Sequence, residues 1–459
     1  MVMKNSLSGY PEWLPEDRMV EQSIIDTIRA KFELHGFAPV ETRSVEALEV
    51  ILAKGETDKE IYILRRLQAP EEEADKSIGL HFDLTVPFAR YVVENRNDLS
   101  FPFRRYQIQK AWRGERPGLG RYREFLQADV DIVDTRPLSI HSDIEIVALM
   151  AEILDSLPLP RTQFRVNNRK LLEGFYVALG IKNTASVLRV VDKLDKIGEE
   201  KVMASLVDDL KLPLKAAEGC VGLGTIREST PEQLHHAVSA RGIRHPLIEE
   251  GLSELFTLLQ QVPSTTNTSI VADLSVARGF DYYTGTVCEV KFVDLPKYPT
   301  IAAGGRYDSL VSDGKNSLPG MGMSIGITRM LGVVLHEGVL RISRKVPSAV
   351  MIAMASDEGR TTANGIAEKL RKRGIACEVF PHPLKYGKQI AYADKNGIPF
   401  VWFPVEDGAR DGEVLDMRSK IQIPANSDSW MPAHSDLIPQ VVLDQDAMAS
   451  LYRNRTYAR

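Results

Sequence analysis

Cysteine is scarce in this chain: Cys220, Cys288 and Cys377 are the only three among 459 residues. They are odd in number and far apart, which argues against a disulfide framework. No Cys-x-x-Cys or His-x-x-x-His pair suggests structural zinc, so no protein metal ligands are expected. Long apolar runs are also missing. Nothing approaches the ~20 residues that span a bilayer, and the N-terminal MVMKNSLSGYPEWLPEDR lacks the apolar core of a signal peptide. A cytoplasmic protein with no membrane association is therefore expected. Positive charge is not in excess either. The net charge is −5, whereas a dedicated DNA binder is usually basic. RNA binding through local basic patches stays open. Three common nucleotide or acyl signatures are absent: Gly-x-x-x-x-Gly-Lys-Ser/Thr, Gly-x-Gly-x-x-Gly after an opening strand, and Gly-x-Ser-x-Gly. Any phosphate chemistry must rest on other groups.

What is present is a chain long enough for two or three domains. From Asp17 to His35, Ile24, Ile25, Ile28 and Phe32 recur at helical spacing, and Gly36 is a natural stop. Ile61–Leu64 and Leu80–Leu84 read as strands around an excursion whose Glu71-Glu72-Glu73 reads as a solvated loop. Phe103–Trp112 reads as a strand and Arg121–Val133 as its antiparallel partner. The pattern becomes helical between about 169 and 262, as an insertion within the first domain. Strands resume at Ser269–Ala272 and Val287–Phe292. Beyond about 347, β and α elements alternate, which implies a small doubly wound domain. The expected organisation is an α+β domain on an antiparallel sheet over residues 1–335, a linker at 336–347 and an α/β domain at 348–459.

Three segments carry the chemistry. Val276-Ala277-Arg278-Gly279-Phe280-Asp281-Tyr282-Tyr283-Thr284-Gly285 places a cation, two adjacent phenols and glycine breaks in ten residues. Helix and strand building need no such combination; recognising a small polar ligand beside a phosphate does. The loop Arg113-Gly114-Glu115-Arg116-Pro117-Gly118-Leu119-Gly120-Arg121-Tyr122-Arg123-Glu124-Phe125 holds four arginines. A guanidinium forks onto phosphate oxygens and keeps its charge, although an isolated arginine-rich loop is more often an exposed basic turn. In Gly320-Met321-Gly322-Met323-Ser324-Ile325-Gly326-Ile327-Thr328-Arg329, small residues line a strand-to-helix passage that ends on a cation. Glycine there permits a flat ligand to approach the backbone. Asp83-Leu84-Thr85 reads as a strand end with carboxylate and hydroxyl on one face, and Ala303–Asp308, with Gly304, as a glycine turn bordering the same ligand.

In this order, the segments resemble the histidyl-tRNA synthetases, a family of class II aminoacyl-tRNA synthetases. Arg278–Gly285 is similar to the histidine signature, Arg113–Phe125 to motif 2, Gly320–Arg329 to motif 3 and Asp17–Glu46 to motif 1. Lys385–Lys395 is similar to the anticodon-binding domain. The resemblance implies a class II catalytic domain with a helical insertion and an anticodon-binding-like domain. It also implies that L-histidine and ATP form histidyl-adenylate, that the histidyl group passes to tRNA(His), and that the chain forms a homodimer. Mg²⁺ would travel with the ATP phosphates. It places Arg113, Glu115, Arg121, Phe125 and Arg329 around ATP. Arg278 and Arg113 serve catalysis, with Arg278 standing where related enzymes use a metal. Asp83 and Tyr283 would read the imidazole, whose neutral form has one donor and one acceptor. Thr85, Gln127 and Asp131 would hold the α-amino group, with Tyr282 near the ring and Gly304 at the rim.

The chain departs from the family pattern at Arg43, where motif 1 usually has proline, at Thr328, where motif 3 usually has an acid, and at Asp83, where glutamate is frequent. Asn426–Pro432 interrupts the last strand pattern. The competing resemblance is to the regulatory subunit of ATP phosphoribosyltransferase, a non-catalytic histidine-binding relative. That relative generally lacks the C-terminal domain and degrades the arginines that stand here as Arg113, Arg278 and Arg329.

Overall fold

A computed structural model of the chain describes residues 7–52, 60–68, 78–277, 282–407 and 410–456. Arg278 and the run Glu71-Glu72-Glu73 lie outside the described residues. The chain divides into two units, Met1–Pro11 with Ile24–Glu337 and Ala449–Arg459, and Glu12–Ser23 with Gly338–Met448. Among the described residues no helix is long and apolar enough to cross a membrane.

Helix α1, Pro15–Leu34, begins with acids at Glu16 and Asp17 and ends with Lys31. That order complements the helix dipole. Val20, Ile24, Ile28 and Phe32 form its buried stripe. Gly36 then turns the chain at φ +76°, a conformation that a Cβ disfavours.

The first unit is built on a nine-stranded sheet. Its strands are β1 (Ala38–Pro39), β2 (Phe103–Trp112), β3 (Glu124–Val133), β4 (Thr162–Asn168), β5 (Arg227–Glu228), β6 (Thr268–Asp273), β7 (Tyr283–Phe292), β8 (Ala302–Ser312) and β9 (Ser317–Gly326). The spatial order is β1-β2-β3-β9-β8-β7-β4-β6-β5. The six strands from β2 to β4 pair antiparallel throughout. Parallel pairs join β1 to β2 and β4 to β6. Helices α2 (Thr85–Glu94), α3 (Ile140–Ser156) and α4 (Ile327–His336) bury their apolar residues in this unit. The stretch expected as a helical insertion runs from the helix Arg169–Ala178 to the helix Pro246–Gln261, interrupted by the short strand β5.

Two local expectations change. Asp83 and Thr85 do not close a strand: the strand stops at Leu80, and Thr85 opens α2. Asp83 Oδ1 accepts the free N–H of Val86 at 3.0 Å, which favours a helix start over strand continuation. Gly304 and Gly305 lie inside β8 rather than in a turn. They pair with Cys288 and Val287 of β7 on one side and with Met323 and Gly322 of β9 on the other. Their role is close approach, as the site shows below.

The second unit has a five-stranded sheet. Its strands are β10 (Val350–Ile352), β11 (Cys377–Val379), β12 (Phe400–Asp407), β13 (Arg410–Asp416) and β14 (Gln422–Ala425), in the order β11-β10-β12-β13-β14. The first three run parallel and the last two add antiparallel. Helices α5 (Arg360–Lys372) and α6 (Tyr386–Asn396) alternate with the parallel strands. Much of the stretch expected as a linker, 336–347, is built into this unit: Leu340–Ile342 pairs with Val441–Leu443, and Arg344 Nη1 donates to Asp436 O at 2.7 Å. Residues 426–432 are a tied cap. Arg373 donates to the carbonyls of Ser427, Ser429 and Trp430, and Trp430 packs 5.2 Å from Phe400 and 5.7 Å from Trp402.

Trp402 is fully buried, and its Nε1 would lie 1.9 Å from a Cβ at Gly412. Gly412→Ala is therefore expected to destabilise the second unit by about 1–3 kcal/mol, seen as a lower melting temperature. Unchanged melting would show that the sheet yields there.

Candidate active site

Phe125, Gln127, Asp129 and Asp131 alternate with Leu126, Ala128 and Val130 along β3. Period two puts the four on one face. The register extends that face sideways. Gln127 lies between Gln109 and Gly326, Asp129 between Gln107 and Ser324, and Asp131 between Arg105 and Gly322. Asp83 joins them from the start of α2. Asp83, Asp129 and Asp131 are 4%, 3% and 3% exposed, and Arg105 is 0% exposed. Three carboxyls thus share one fully buried guanidinium.

Arg105 is ion-paired, although its Nε and Nη2 make no hydrogen bond of their own. Its Nη2 lies 2.7 Å from Asp131 Oδ2, and its guanidinium stands 4.0 Å over the Phe88 ring. Asp131 Oδ1 accepts from the Tyr307 hydroxyl at 2.8 Å, so both Asp131 oxygens are engaged. By contrast Asp83 Oδ2, Asp129 Oδ1 and Gln127 Oε1 are buried with no protein partner. Burial is the largest influence on all three carboxyls and raises each one. For Asp83 it is opposed by the Val86 N–H and by Arg113, for Asp131 by Arg105 and Tyr307. Asp129 is pushed up to about 7, with Asp131 and Asp83 adding to burial while Arg105 and the Ser324 hydroxyl oppose it.

Glycines make room for this layer. A Cβ at Gly322 would come 1.9 Å from Asp131 Oδ1, one at Gly320 2.2 Å from the Tyr307 ring, and one at Gly304 2.2 Å from Gly322 O. A Cβ at Gly305 would meet the Tyr283 ring at 3.0 Å. The adjacent tyrosines sit edge to face, with Tyr282 4.9 Å from Tyr283 and 6.2 Å from Tyr307.

At the other end stand cations. Arg113 Nε donates to Phe82 O at 2.9 Å, and its guanidinium lies 5.1 Å from the Phe125 ring centre. Arg329, in the first turn of α4, donates to Gly120 O at 2.7 Å and to Thr300 O at 2.9 Å. It thereby ties the arginine loop to the helix. Thr328 Oγ1 accepts the Leu126 N–H at 2.7 Å, so the residue that replaces the usual acid anchors β3 to α4. The two ends share a cavity of about 400 Å³ lined by Asp83, Thr85, Arg113, Glu115, Phe125, Gln127, Asp129, Asp131, Tyr282, Tyr283, Gly304 and Arg329, among others.

Of the residues singled out from sequence, all but two line this cavity. Arg278 is outside the described residues. Arg121 is exposed at the loop tip, where backbone bonds of 3.1 and 2.8 Å between Gly118 and Arg121 close the turn, and it does not line the cavity. Its charge acts instead on Glu60. Asp129, Arg105 and Ser324 join the site without a sequence motif of their own. The Gln-Ala-Asp-Val-Asp alternation was the available signal for Asp129, since an acid every second residue in an apolar strand marks one polar face. Cys220 and Cys288 are buried, and Cys377 is half-buried.

The model of the family described as histidyl-tRNA synthetase matches residues 9–330, and that of the anticodon binding domain matches 349–414. The chain belongs to the histidyl-tRNA synthetase family. The histidine–tRNA ligase of Micrococcus luteus is 49% identical, covering 97% of this chain and all of that protein. That of Cutibacterium acnes is 48% identical over 96% of this chain and 99% of its own length. The crystal structure of histidyl-tRNA synthetase from Nostoc sp. PCC 7120 superposes with a TM-score of 0.82 at 30% identity, covering 99% of this chain and 100% of that one. A protein from Bacillus halodurans described as an ATP phosphoribosyltransferase regulatory subunit/histidyl-tRNA synthetase shares the fold at 22% identity and TM-score 0.67, covering 83% of this chain and 93% of its own.

In this synthetase the buried acids also set a pH dependence. The folded-state value of Asp129, about 7, lies above the ~3.9 of an unfolded aspartate. Between those values the folded chain holds a proton that the unfolded chain releases. Stability from this group is therefore intact at low pH and declines as the pH rises from about 4 through 7. Asp129→Asn removes that loss. The ligand-free variant should melt a few degrees above the wild type at pH 8, with a smaller margin at pH 5. A margin independent of pH would contradict the assignment.

Proposed function

We propose that this chain is a histidine–tRNA ligase that activates L-histidine with ATP and passes the histidyl group to the 3′ end of tRNA(His). The observation that carries this reading is one cavity with arginines at one end, unpartnered buried acceptors in the middle and phenols at the other. The histidine carboxylate attacks the α-phosphorus of ATP, histidyl-adenylate forms, and pyrophosphate leaves; Mg²⁺ would accompany ATP as part of the substrate and neutralise its phosphate charge. Arg113 grips the α-phosphate and the carboxylate. Arg329, Glu115 and Phe125 complete the nucleotide end, and Arg278 neutralises charge developing at the α-phosphate. Catalysis of this kind is positioning and electrostatics, with no covalent enzyme intermediate.

Hydrogen bonding divides the amino-acid end. Asp131, with both oxygens engaged beside the phenols, suits the ring together with Tyr283 and Tyr282. Asp83 and Gln127, with free acceptor atoms beside Thr85, suit the α-ammonium. This exchanges the places that the resemblance alone suggested for Asp83 and Asp131. A neutral imidazole needs one donor and one acceptor, and the phenol–carboxylate end offers both. A buried polar site of this kind rejects analogues lacking the ring nitrogens by roughly 10⁴–10⁵. The anticodon-domain match over 349–414 supports tRNA as the second substrate. The family supports a homodimer.

Isotope exchange between pyrophosphate and ATP, measured across the twenty amino acids, tests the reading. Histidine alone should support exchange. Arg113→Ala and Arg278→Ala should each reduce it by about 10²-fold or more while the protein stays folded. Histidine binding without exchange in the wild type would indicate the non-catalytic regulatory role instead.

A further inference from the structure

Of the three buried aspartates that line the cavity, Asp129 is the one to which the family resemblance gives no role. Its surroundings fix what one of its oxygens can meet. On its own strand, Gln127 and Asp131 flank it. Across β2, Gln107 has both amide hydrogens directed elsewhere, with Nε2 reaching Thr42 Oγ1 at 3.0 Å and Gln109 Oε1 at 2.5 Å. Gln107 Oε1 takes Arg105 Nη1 at 3.3 Å. Across β9, Ser324 Oγ accepts from Gln127 Nε2 at 2.8 Å and gives its own hydrogen to the Asp129 carboxyl. Arg105 is held by Asp131. Asp83 and Asp131 are acids, and Arg113 is drawn to the Phe82 carbonyl. No protein donor reaches Asp129 Oδ1, although the atom is buried and its residue lines the cavity.

The position along β3 says which part of a ligand arrives there. Same-face residues on a strand repeat every ~7 Å. Arg113 stands over Phe125 at one end, and Asp131 holds the Tyr307 phenol at the other. Gln127 and Asp129 fall between. An amino acid with its carboxylate towards Arg113 and its ring towards the phenols presents its ammonium to this middle stretch. Three acceptor atoms are unpartnered there, Asp83 Oδ2, Gln127 Oε1 and Asp129 Oδ1, and an ammonium carries three N–H donors.

We propose that Asp129 is a specificity-determining residue of the amino-acid site, receiving an N–H of the substrate α-ammonium on Oδ1 and making the cavity select an amino acid over its deaminated analogue. This rests on the histidine reading of the cavity. Burial first, and then the neighbouring Asp131 and Asp83, push Asp129 up to about 7, a cost that a nearby positive charge relieves. An ammonium supplies the missing positive charge without any rearrangement of Arg105.

The test uses the full-length enzyme, Asp129→Asn and Asp129→Glu, in the pyrophosphate exchange reaction. Three quantities are read: KM for histidine, KM for ATP, and the inhibition constant of 3-(imidazol-4-yl)propionate, which is histidine without its amino group. All three are independent of the fraction of protein that is folded. A hydrogen bond to a charged group is worth about 1.5–3 kcal/mol. Asp129→Asn should therefore raise the histidine KM by roughly 10–150-fold while the propionate constant and the ATP KM move less than about threefold. Asp129→Glu should recover part of the loss. An unchanged histidine KM would overturn the proposal. So would equal weakening of histidine and the propionate, which would place Asp129 against the ring or make it a structural support. Either result leaves the activity reading standing, because wild-type exchange with histidine establishes that separately.

Discussion

The site is organised around one ion pair, Arg105 with Asp131. The guanidinium has no solvent contact, rests on the Phe88 ring and lies 2.7 Å from a carboxylate. Removing one partner of such a buried pair costs about 3–5 kcal/mol, because the other is left charged and desolvated. Here the cost is compounded, since Arg105 also moderates Asp129 and Asp83. The pair fixes Asp131 and, through it, Tyr307. What remains around it is a set of acceptors that the protein itself does not satisfy.

That imbalance gives the cavity its direction. Cations stand at one end, unpartnered acceptors in the middle and phenols at the other, the order that the proposed histidine and ATP reading requires. The sheet holds this order with little freedom. Gln127, Asp129 and Asp131 are consecutive same-face positions of one strand, and β9 leaves room for Asp131 at Gly322 and for the Tyr307 ring at Gly320. The arginine end is tied differently. Arg329 on α4 grips the Gly120 carbonyl of the arginine loop, which ties the loop to the helix.

Much of the fold was legible because its signals are local. Strand Phe103–Trp112 and its partner ending at Val133 follow from alternation, and α1 follows from a four-residue apolar repeat. Asp83 and Thr85 read as a strand end in sequence because a short apolar alternation looks the same before a helix start; only the Val86 N–H decides it. Gly304 and Gly305 signal a turn in sequence but serve packing across the sheet, a reason visible only once β9 lies alongside. The arginine loop gave four candidates, and composition has no way to say that Arg113 turns inward while Arg121 faces solvent. The engagement of Asp131 by Arg105 and Tyr307 joins three strands, β3, β2 and β8. For that reason sequence alone carries no signal for the proposed division between ring and ammonium ends.

The account stands or falls on where the two nitrogen-bearing ends of histidine sit. An experimental structure of the protein with L-histidine bound measures this directly. The amino nitrogen should lie within about 3.2 Å of carboxylate oxygens of both Asp83 and Asp129, with the imidazole between Asp131 and Tyr283. An imidazole against Asp83 with the amino group on Asp131 would contradict it.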